Sequence, residues 1–195
     1  MNLFRLHNNP MIAAEMHCDK HIPKMILETA QMLSTAWRMT DEAVDKSKAK
    51  SGVLSQSACE IYDDAPEKDT AYADEQGMYK IAYKNHPSTI WVRQKSASYN
   101  WTLFLFKSLC KEYTKRYGKH HASAGLESAF EEDPLGVRVS GLTKRRMAFP
   151  QCMPDEYKVQ GNPVKAYRNY YKGEKAYFAK WDRGRAAPKW WPHAA

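Results

Sequence analysis

Apolar residues recur at intervals of three and four positions in the first part of the chain, as they do along one face of a buried helix. Over residues 11–37 this stripe consists of Ile26, Ala30, Leu33 and Trp37. Asn9-Pro10 is a typical helix start, with a capping side chain followed by proline at the first helical position. Pro23 interrupts the pattern, so we expect a kink or a short break before it.

A second helical pattern extends from about Ser88 to Tyr117, after the turn signal at residues 83–88. Its apolar face consists of Ile90, Tyr99, Leu103, Phe106, Leu109, Cys110 and Tyr113. Gly118 is suited to end this helix, because glycine adopts the left-handed conformation that follows a last helical turn. A shorter helix is predicted from about Ala122 to Glu131.

Asn162-Pro163 repeats the helix start and predicts a third main helix, which leads into a basic, aromatic tail (about 162–195). The predicted apolar face of this helix consists of Val164, Tyr167, Tyr171, Phe178 and Trp181. Residues 133–161 contain several glycines and prolines and predict a loop, and the polar stretch 40–76 predicts a long surface insertion. The expected fold is mainly α: one compact helical domain spanning residues 1–195 with three main helices.

Composition favours a soluble globular protein. The chain has 195 residues, a length suited to one domain, and 43% of them are hydrophobic, which is enough for a packed core. No apolar run is long enough to span a membrane, and the start at Met1 lacks the features of a signal peptide. We therefore expect a cytoplasmic protein with no membrane contact. The four cysteines, which are far apart in the sequence, are interpreted as reduced thiols: Cys18, Cys59, Cys110 and Cys152.

The charge favours nucleic acid as the partner. The net charge is +8, with 30 basic and 22 acidic residues, and the basic residues are unevenly distributed. Lysine and arginine bind polyanions in part because each phosphate contact releases condensed counterions. A basic surface without a nucleic-acid partner is the alternative interpretation. The chain contains no glycine-rich phosphate loop, nucleophile elbow or HExxH pattern, so kinase and common hydrolase chemistries have no support.

The segment His17-Cys18-Asp19-Lys20-His21, followed by Lys24 and Glu28, is the first candidate site. On a continuous helix His17 and His21 lie one turn apart and can share a metal ion. Glu28 lies two turns beyond His21 on the same side, whereas Asp19 lies off that face. A solvent-facing polar side of the helix explains the pattern equally well. Lys20, His21 and Lys24 also form a basic cluster suited to gripping phosphates around a displaced nucleotide.

Two further stretches are candidates for contacting DNA. Asn85 and His86 precede the second main helix, where free amide protons favour anions, although Ser88 can act simply as a cap. In the C-terminal third, aromatic residues alternate with basic ones and can stack on bases, but those at helical spacing are better explained as core. The basic residues singled out as DNA contacts in the C-terminal third and the loop before it are Arg145, Arg146 and Lys172.

The layout resembles the pyrimidine-dimer DNA glycosylase family, which comprises the endonuclease V of phages and its bacterial relatives. Three segments carry the resemblance. They are the N-terminal stretch 1–7, Lys20-His21-Ile22-Pro23-Lys24, and Tyr83-Lys84-Asn85-His86-Pro87 with the following helix that ends in Arg116-Tyr117-Gly118. The resemblance implies a compact helical protein that binds lesion-containing double-stranded DNA and needs no cofactor. It also implies that Lys20 and Lys24 contact phosphate or the lesion and that His86 lies near the DNA.

The nucleophile implied by the resemblance is the N-terminal α-amine, assisted by an acidic residue on the first helix. An α-amine has a pKa of about 7.7 to 8, so a useful fraction is unprotonated at neutral pH. This sequence has His21 at the position of the family's acid, and its ordinary pKa of about 6.5 suits acid–base catalysis. Asp19 or Glu28 can replace the acid only if the helix presents it inward. Asn2 is too large for ordinary removal of the initiator methionine, so the free amine can belong to Met1 or Asn2.

Three functions follow. The first is a DNA-repair glycosylase with abasic-site lyase activity, acting on damaged or modified pyrimidines. The second is a metal-dependent enzyme acting on nucleotides or DNA, with His17 and His21 among its ligands. The third is a non-catalytic basic module that binds nucleic acid. We expect the first two main helices to cross so that His21 and His86 approach one surface.

Overall fold

Helices dominate the described residues, 2–39, 71–131 and 148–192, of this computed structural model, which confirms the mainly α prediction. The α-helices are α1 (Pro10–Met16), α2 (His21–Arg38), α3 (Ala71–Glu75), α4 (Pro87–Gln94), α5 (Ser96–Tyr117), α6 (Glu127–Glu131) and α7 (Pro163–Glu174). Two short 3₁₀ turns cover Ala122–Leu126 and Asp155–Tyr157. No helix in the described ranges is long and apolar enough to cross a membrane.

The first predicted helix is divided in two at residues 17–20. Asn9 caps α1 by accepting hydrogen bonds from the two amides after Pro10, as its sequence predicts. His17 then adopts an extended conformation that ends α1, and α2 begins at His21, so the expected break before Pro23 is confirmed. Pro23 lies in the first turn of α2, where its missing N–H removes no helical hydrogen bond.

The second predicted helix is also divided, because Lys95 adopts an extended conformation. Its carbonyl accepts hydrogen bonds from the amides of Ser98 and Tyr99 and so starts a new helix. The break separates two packing directions: α4 packs on α2, while α5 packs on both α1 and α2. The predicted end at Gly118 is confirmed, since its φ of +66° is left-handed and its N–H donates to the Thr114 carbonyl.

The third main helix is shorter than its apolar pattern predicts. It ends at Glu174, and Phe178 and Trp181 lie in the tail that follows, so the prediction of one continuous helical face is wrong. The tail instead turns at Lys175 and packs its aromatic rings around Tyr171. In the last turn of α7, the Tyr157 ring occupies the space that a Cβ on Gly173 would need, so a larger residue there would have to displace this ring.

The predicted surface insertion, residues 40–76, is corrected at its end. Residues 71–75 form α3, which buries Ala73 against the core, and the Arg38 guanidinium binds Asp74. Burying Ala73 requires this turn to pack, which a polar composition alone does not reveal. Residues 40–70 lie outside the described part of the chain. Of the predicted loop 133–161, the described part (148–161) is irregular apart from the 3₁₀ turn at 155–157.

The core joins the three main helices to the N-terminal segment. Ile26, Ala30 and Leu33 are fully buried, which confirms the predicted stripe on α2. Leu3 and Leu6 are also fully buried, so the N-terminal segment anchors its apolar side chains in the core. The largest fully buried side chains are those of Tyr99, Phe106, Phe130, Tyr167 and Tyr171. Cys18, Cys110 and Cys152 are free thiols.

A buried ion network spans the junction of α1 and α2. The Arg116 guanidinium, on α5, donates to the carbonyls of His17 and Glu15 and to the carboxylate oxygens of Asp19 and Glu112 at 2.8–3.0 Å. Burial raises the pKa of Glu112, but hydrogen bonding and charge from Arg185 and Arg116 outweigh it and hold the pKa below its ordinary value. The network therefore stabilises the turn at residues 17–20, which joins α1 to α2.

Replacement of Arg116 by methionine is expected to lower the free energy of unfolding by about 3–5 kcal/mol, because it leaves the Asp19 carboxylate and the carbonyls of Glu15 and His17 without their cation. Urea unfolding followed by far-ultraviolet circular dichroism measures this change. Lys115→Met, a matched substitution at the exposed neighbouring position, is the control and is expected to stay within about 0.5 kcal/mol of wild type. A loss below about 1 kcal/mol for Arg116→Met would show that the network is not needed for stability.

Candidate active site

Side-chain contacts hold the N-terminal segment in place. Leu3 and Phe4 are buried, and the Phe4 ring packs on the rings of Tyr170 and Tyr171. The Asn2 side chain donates to the Cys152 carbonyl at 2.7 Å and accepts from the Tyr167 hydroxyl at 2.8 Å. These contacts fix the main-chain nitrogen of residue 2 relative to the helices.

That nitrogen lies against an acidic side chain. The Asn2 N–H donates to Glu28 Oε2 at 2.9 Å. Lys24, one turn earlier on α2, places its ammonium 3.7 Å from Glu28 Oε1. The Glu28 side chain is 13% exposed and that of Lys24 is 62% exposed, so the carboxylate is shielded while the cation stays in solvent. A carboxylate, a lysine and the start of the chain therefore meet on one face of α2.

The start of α4 lies next to this group. His86 caps α4, and its Nδ1 accepts a hydrogen bond from the Ser88 N–H. Ser88 Oγ lies 3.5 Å from Cys152 Sγ, which joins α4 to the residue that holds Asn2. Burial, and then the positive charge of the chain's N-terminal amine, lower the pKa of His86. The His86 ring is therefore neutral near pH 7, as its role as a hydrogen-bond acceptor requires.

We define the Asn2–Glu28 cluster as Asn2, Lys24, Glu28, His86 and Cys152. It combines a shielded carboxylate with a solvent-facing ammonium, and the first turn of α4 adds the positive end of a helix dipole. Such a site attracts a phosphate and offers a proton acceptor next to it. Of the proposed catalytic residues, Asn2 and Glu28 are brought together here, and Met1 lies outside the described residues.

His21 is buried and only 4% exposed. Its ring packs between Phe4, Tyr171 and Phe178, with ring centroids about 5 Å away. The expectation that His21 and His86 share a surface is therefore wrong: α2 turns His21 toward the aromatic core. Burial lowers the pKa of His21 to about 3, with the charges of His17 and nearby lysines adding to the effect.

The metal hypothesis depended on a continuous helix through His17 and His21. His17 instead ends α1 and His21 begins α2, so the one-turn spacing does not apply. The two ring centroids are nevertheless 6.5 Å apart, and His17 Nδ1 hydrogen-bonds to the Ala13 carbonyl. Within residues 2–39, 71–131 and 148–192, no three His, Cys, Asp or Glu side chains are grouped in a way that could hold a metal ion.

Asp19 has a structural partner on each oxygen. Its Oδ1 accepts from Arg116 and its Oδ2 accepts from the Asp182 N–H, both within 3 Å. A carboxylate held in this way is committed to the α1–α2 junction and to the tail. The structure therefore separates the two acidic candidates, because Glu28 faces the N-terminus and Asp19 does not.

The residues predicted to contact DNA are dispersed. Lys24 and His86 belong to the Asn2–Glu28 cluster. Asn85, which precedes His86 in the sequence, is exposed. Lys20 is exposed at the edge of an open groove of about 660 Å³ that is also lined by Lys180 and Arg183. Lys172 is exposed on α7. Arg145 and Arg146 lie outside the described residues.

Sequence reasoning missed the roles of Cys152 and Tyr167. Cys152 is 150 residues from Asn2 in the chain, and Tyr167 was predicted only as a core residue. The one available signal was that Asn2 is polar and directly precedes the apolar pair Leu3-Phe4. Its amide is bound on both sides, by a carbonyl and by a hydroxyl.

A family model described as pyrimidine dimer DNA glycosylase matches residues 1–124. The chain belongs to the pyrimidine dimer DNA glycosylase family. The matched region contains Asn2, Lys24, Glu28 and His86, so most of the Asn2–Glu28 cluster lies in the part that defines the family. Cys152 and the whole of α7 lie beyond the match. Searches of curated proteins and of solved structures found no match.

Family membership supports DNA as the substrate, in agreement with the net charge of +8. The rings of His17 and His21 are both buried, at 0% and 4% exposed. His17 Nε2 and His21 Nδ1 are buried with no hydrogen-bond partner in the described ranges. Both residues therefore act as neutral core side chains near pH 7.

Protonation of His17 and His21 is expected to destabilise the fold in mild acid. Burial lowers their pKa values to about 4 and about 3, whereas an unfolded histidine titrates near 6.5. The unfolded chain therefore binds more protons below about pH 6.5, and the folded state loses about 1.4 kcal/mol per histidine for each pH unit down to about pH 4. Above about pH 7 neither histidine makes the free energy of unfolding depend on pH.

Chemical unfolding of wild type and His21→Gln, measured at pH values from about 8 to 4, checks this expectation. The variant should lose stability about 1.4 kcal/mol per pH unit less steeply than wild type between about pH 6 and pH 4. The two curves should run parallel above about pH 7, which serves as the internal control. Parallel curves over the whole range would contradict a neutral, buried His21.

Proposed function

We propose that the chain is a DNA glycosylase with abasic-site lyase activity, acting on damaged or modified pyrimidines in double-stranded DNA through its N-terminal amine. The observation that carries the proposal is the 2.9 Å contact between the Asn2 nitrogen and Glu28 Oε2. It supports Glu28, rather than His21 or Asp19, as the side chain that assists the amine. Membership in the pyrimidine dimer DNA glycosylase family supports the substrate class.

Two amines are compatible with this contact. If the initiator methionine stays, as the size of Asn2 favours, the nucleophile is the α-amine of Met1, one residue beyond the nitrogen that Glu28 holds. If it is removed, the Asn2 nitrogen is itself the α-amine and already lies against the carboxylate.

The chemistry follows from these groups. The unprotonated amine attacks the sugar C1′, and a C–N bond forms as the glycosidic bond breaks and its electron pair leaves with the base. The attacking nitrogen then loses a proton, and the C1′–O4′ bond opens as O4′ takes up a proton, which gives a protonated imine. The Glu28 carboxylate stabilises the cationic sugar and takes a proton from C2′, so that the C3′–O bond breaks and the phosphate leaves with the electron pair. Lys24 and the first turn of α4 bind the neighbouring phosphates.

Glu28→Gln is expected to slow strand cleavage by at least about 100-fold, the usual contribution of a positioned acid–base group. The amide oxygen that this substitution introduces can still accept from the Asn2 N–H, so the N-terminus stays in place. Single-turnover cleavage of an ultraviolet-irradiated duplex measures the rate. Borohydride trapping on an abasic duplex, followed by peptide mapping, identifies the amine. Chelator is present throughout, because a metal-dependent enzyme would lose activity in it.

Glu131→Gln makes the same chemical change at an exposed position of α6 and is expected to cleave at the wild-type rate. Mapping of the adduct to residue 1 or 2 supports the proposal. An adduct on Lys24, or full activity of Glu28→Gln, would falsify the assignment of the amine or of the carboxylate. Salt-dependent DNA binding without cleavage or a covalent adduct would indicate instead that the chain is a non-catalytic module that binds nucleic acid.

Lys24→Ala is expected to weaken binding to any duplex and to reduce the slope of log K against log salt by about 0.9, because one phosphate contact is lost. Fluorescence anisotropy at a series of salt concentrations gives this slope. Lys115→Ala removes the same charge from the exposed face of α5, outside the Asn2–Glu28 cluster, and should leave the slope unchanged. An unchanged slope for Lys24→Ala would remove this lysine from the DNA interface.

A further inference from the structure

The chain approaches the Asn2–Glu28 cluster along the surface of α2. We call residues 79–86 the approach segment. The Tyr79 N–H donates to Ser34 Oγ, and the Ala82 N–H donates to Thr35 Oγ1 at 3.1 Å. The segment then reaches His86, which caps α4 beside the cluster. Thr35 and Glu28 are two turns apart on α2, so the middle of the approach segment lies within about 10 Å of the carboxylate along the helix axis.

Tyr83, in the middle of this segment, has an unusual backbone. Its φ is +51°, and it is the one non-glycine residue with a positive φ in the described ranges. Bulky side chains rarely adopt this conformation, which glycine and asparagine adopt more easily. Three hydrogen bonds hold the conformation: Ala82 to Thr35, Arg93 to the Lys84 carbonyl, and the His86 N–H to the Tyr83 carbonyl.

The ring that this conformation presents has no role in the fold. Tyr83 is 66% exposed. Its side chain makes no ring contact and no hydrogen bond within residues 2–39, 71–131 and 148–192. Hydrogen bonds fix the backbone around Tyr83, whereas its side chain is largely exposed. The loop therefore holds an aromatic ring in solvent. Strained residues that the surrounding structure enforces are concentrated at functional sites.

The surroundings of Tyr83 suit nucleic acid. The Lys80 side chain, in the same segment, is 83% exposed and its ammonium pairs with Asp74 at 3.0 Å. The Lys24 side chain on α2 is 62% exposed and its ammonium lies 3.7 Å from Glu28. Leu27 is an exposed apolar residue on α2, next to Glu28 in sequence. A free ring flanked by lysines is the arrangement that stacks on a base while the cations neutralise the backbone.

We propose that Tyr83 stacks on a nucleobase next to the damaged nucleotide and stabilises the duplex opened at the lesion. This inference rests on the proposed function for its substrate. A glycosylase has to move its target out of the helical stack, which leaves the neighbouring bases without a stacking partner. An aromatic ring on a rigid loop replaces that partner at little entropic cost and without sequence preference.

The test compares Tyr83→Gly and Tyr83→Phe on two duplexes, one undamaged and one carrying a tetrahydrofuran abasic analogue that the enzyme cannot cleave. Tyr83→Gly is expected to bind the analogue duplex about fivefold or more weakly than wild type, since it loses one base stack. Its binding to undamaged duplex, which depends on phosphates, should be unchanged. Tyr83→Phe keeps the ring and should bind both duplexes like wild type.

Thermal unfolding separates function from folding, because glycine accepts the positive φ and should leave the Tm unchanged or raised. Phe104→Ala, which removes an exposed ring from α5, is the control and should not alter binding. Equal binding of the analogue by Tyr83→Gly and wild type, or an equal loss on both duplexes, would overturn the stacking role. Borohydride trapping of wild type on a true abasic site tests the amine chemistry of the proposed function. The stacking role of Tyr83 and the amine chemistry can therefore fail independently.

Discussion

The carbonyl oxygens at the end of α1 have no helical partners, because the chain changes direction at residues 17–20 before α2 begins. The Arg116 guanidinium supplies two of the missing donors and also neutralises Asp19 and Glu112. A buried turn of this kind is stable only when its polar groups are paired, since each unpaired group would cost about 1–3 kcal/mol. The direction in which α2 leaves the junction, and hence the side toward which Glu28 points, depends on this cation.

Two tyrosines on α7 complete the support of the N-terminal region. They are one helical turn apart: the Tyr171 hydroxyl accepts from the Cys18 N–H at the junction, and the Tyr167 hydroxyl donates to Asn2 at the start of the chain. The same helix therefore positions both the beginning of α2 and the nitrogen that meets Glu28. An N-terminus is ordinarily free to move, and an amine that acts as a nucleophile gains from being held close to its reaction partner.

The carboxylate of the candidate site occupies a different position from the family motif. His21 stands where the resemblance places the acid, but its ring is packed among aromatic side chains and its pKa is lowered to about 3. Glu28 is seven residues later, which is close to two full turns, so both side chains leave α2 on a similar side. Near the start of α2 that side faces the aromatic core, and two turns later it meets the N-terminal segment. What packs against α2 at each height therefore decides whether a side chain on this side, such as that of His21 or Glu28, lies in the core or beside the N-terminal segment.

Helix type and several helix ends were determined by local sequence, because capping by Asn9 and Asn162, the stripe through Ile26 and Leu33, and the left-handed Gly118 act within a few residues. The family resemblance was also readable from short local motifs, and Glu28 was visible as one of several acidic candidates. Tertiary structure decided the breaks at residues 17–20 and Lys95 and the end of α7. It also decided that Glu28, rather than Asp19 or His21, accepts from the Asn2 N–H. The site depends on Arg116, Tyr167 and Cys152, which are 97 to 165 positions away in the chain from Asp19 and Asn2, the residues they bind. Periodicity and spacing describe a helix and its faces, but contacts over such separations exist only once the helices have packed.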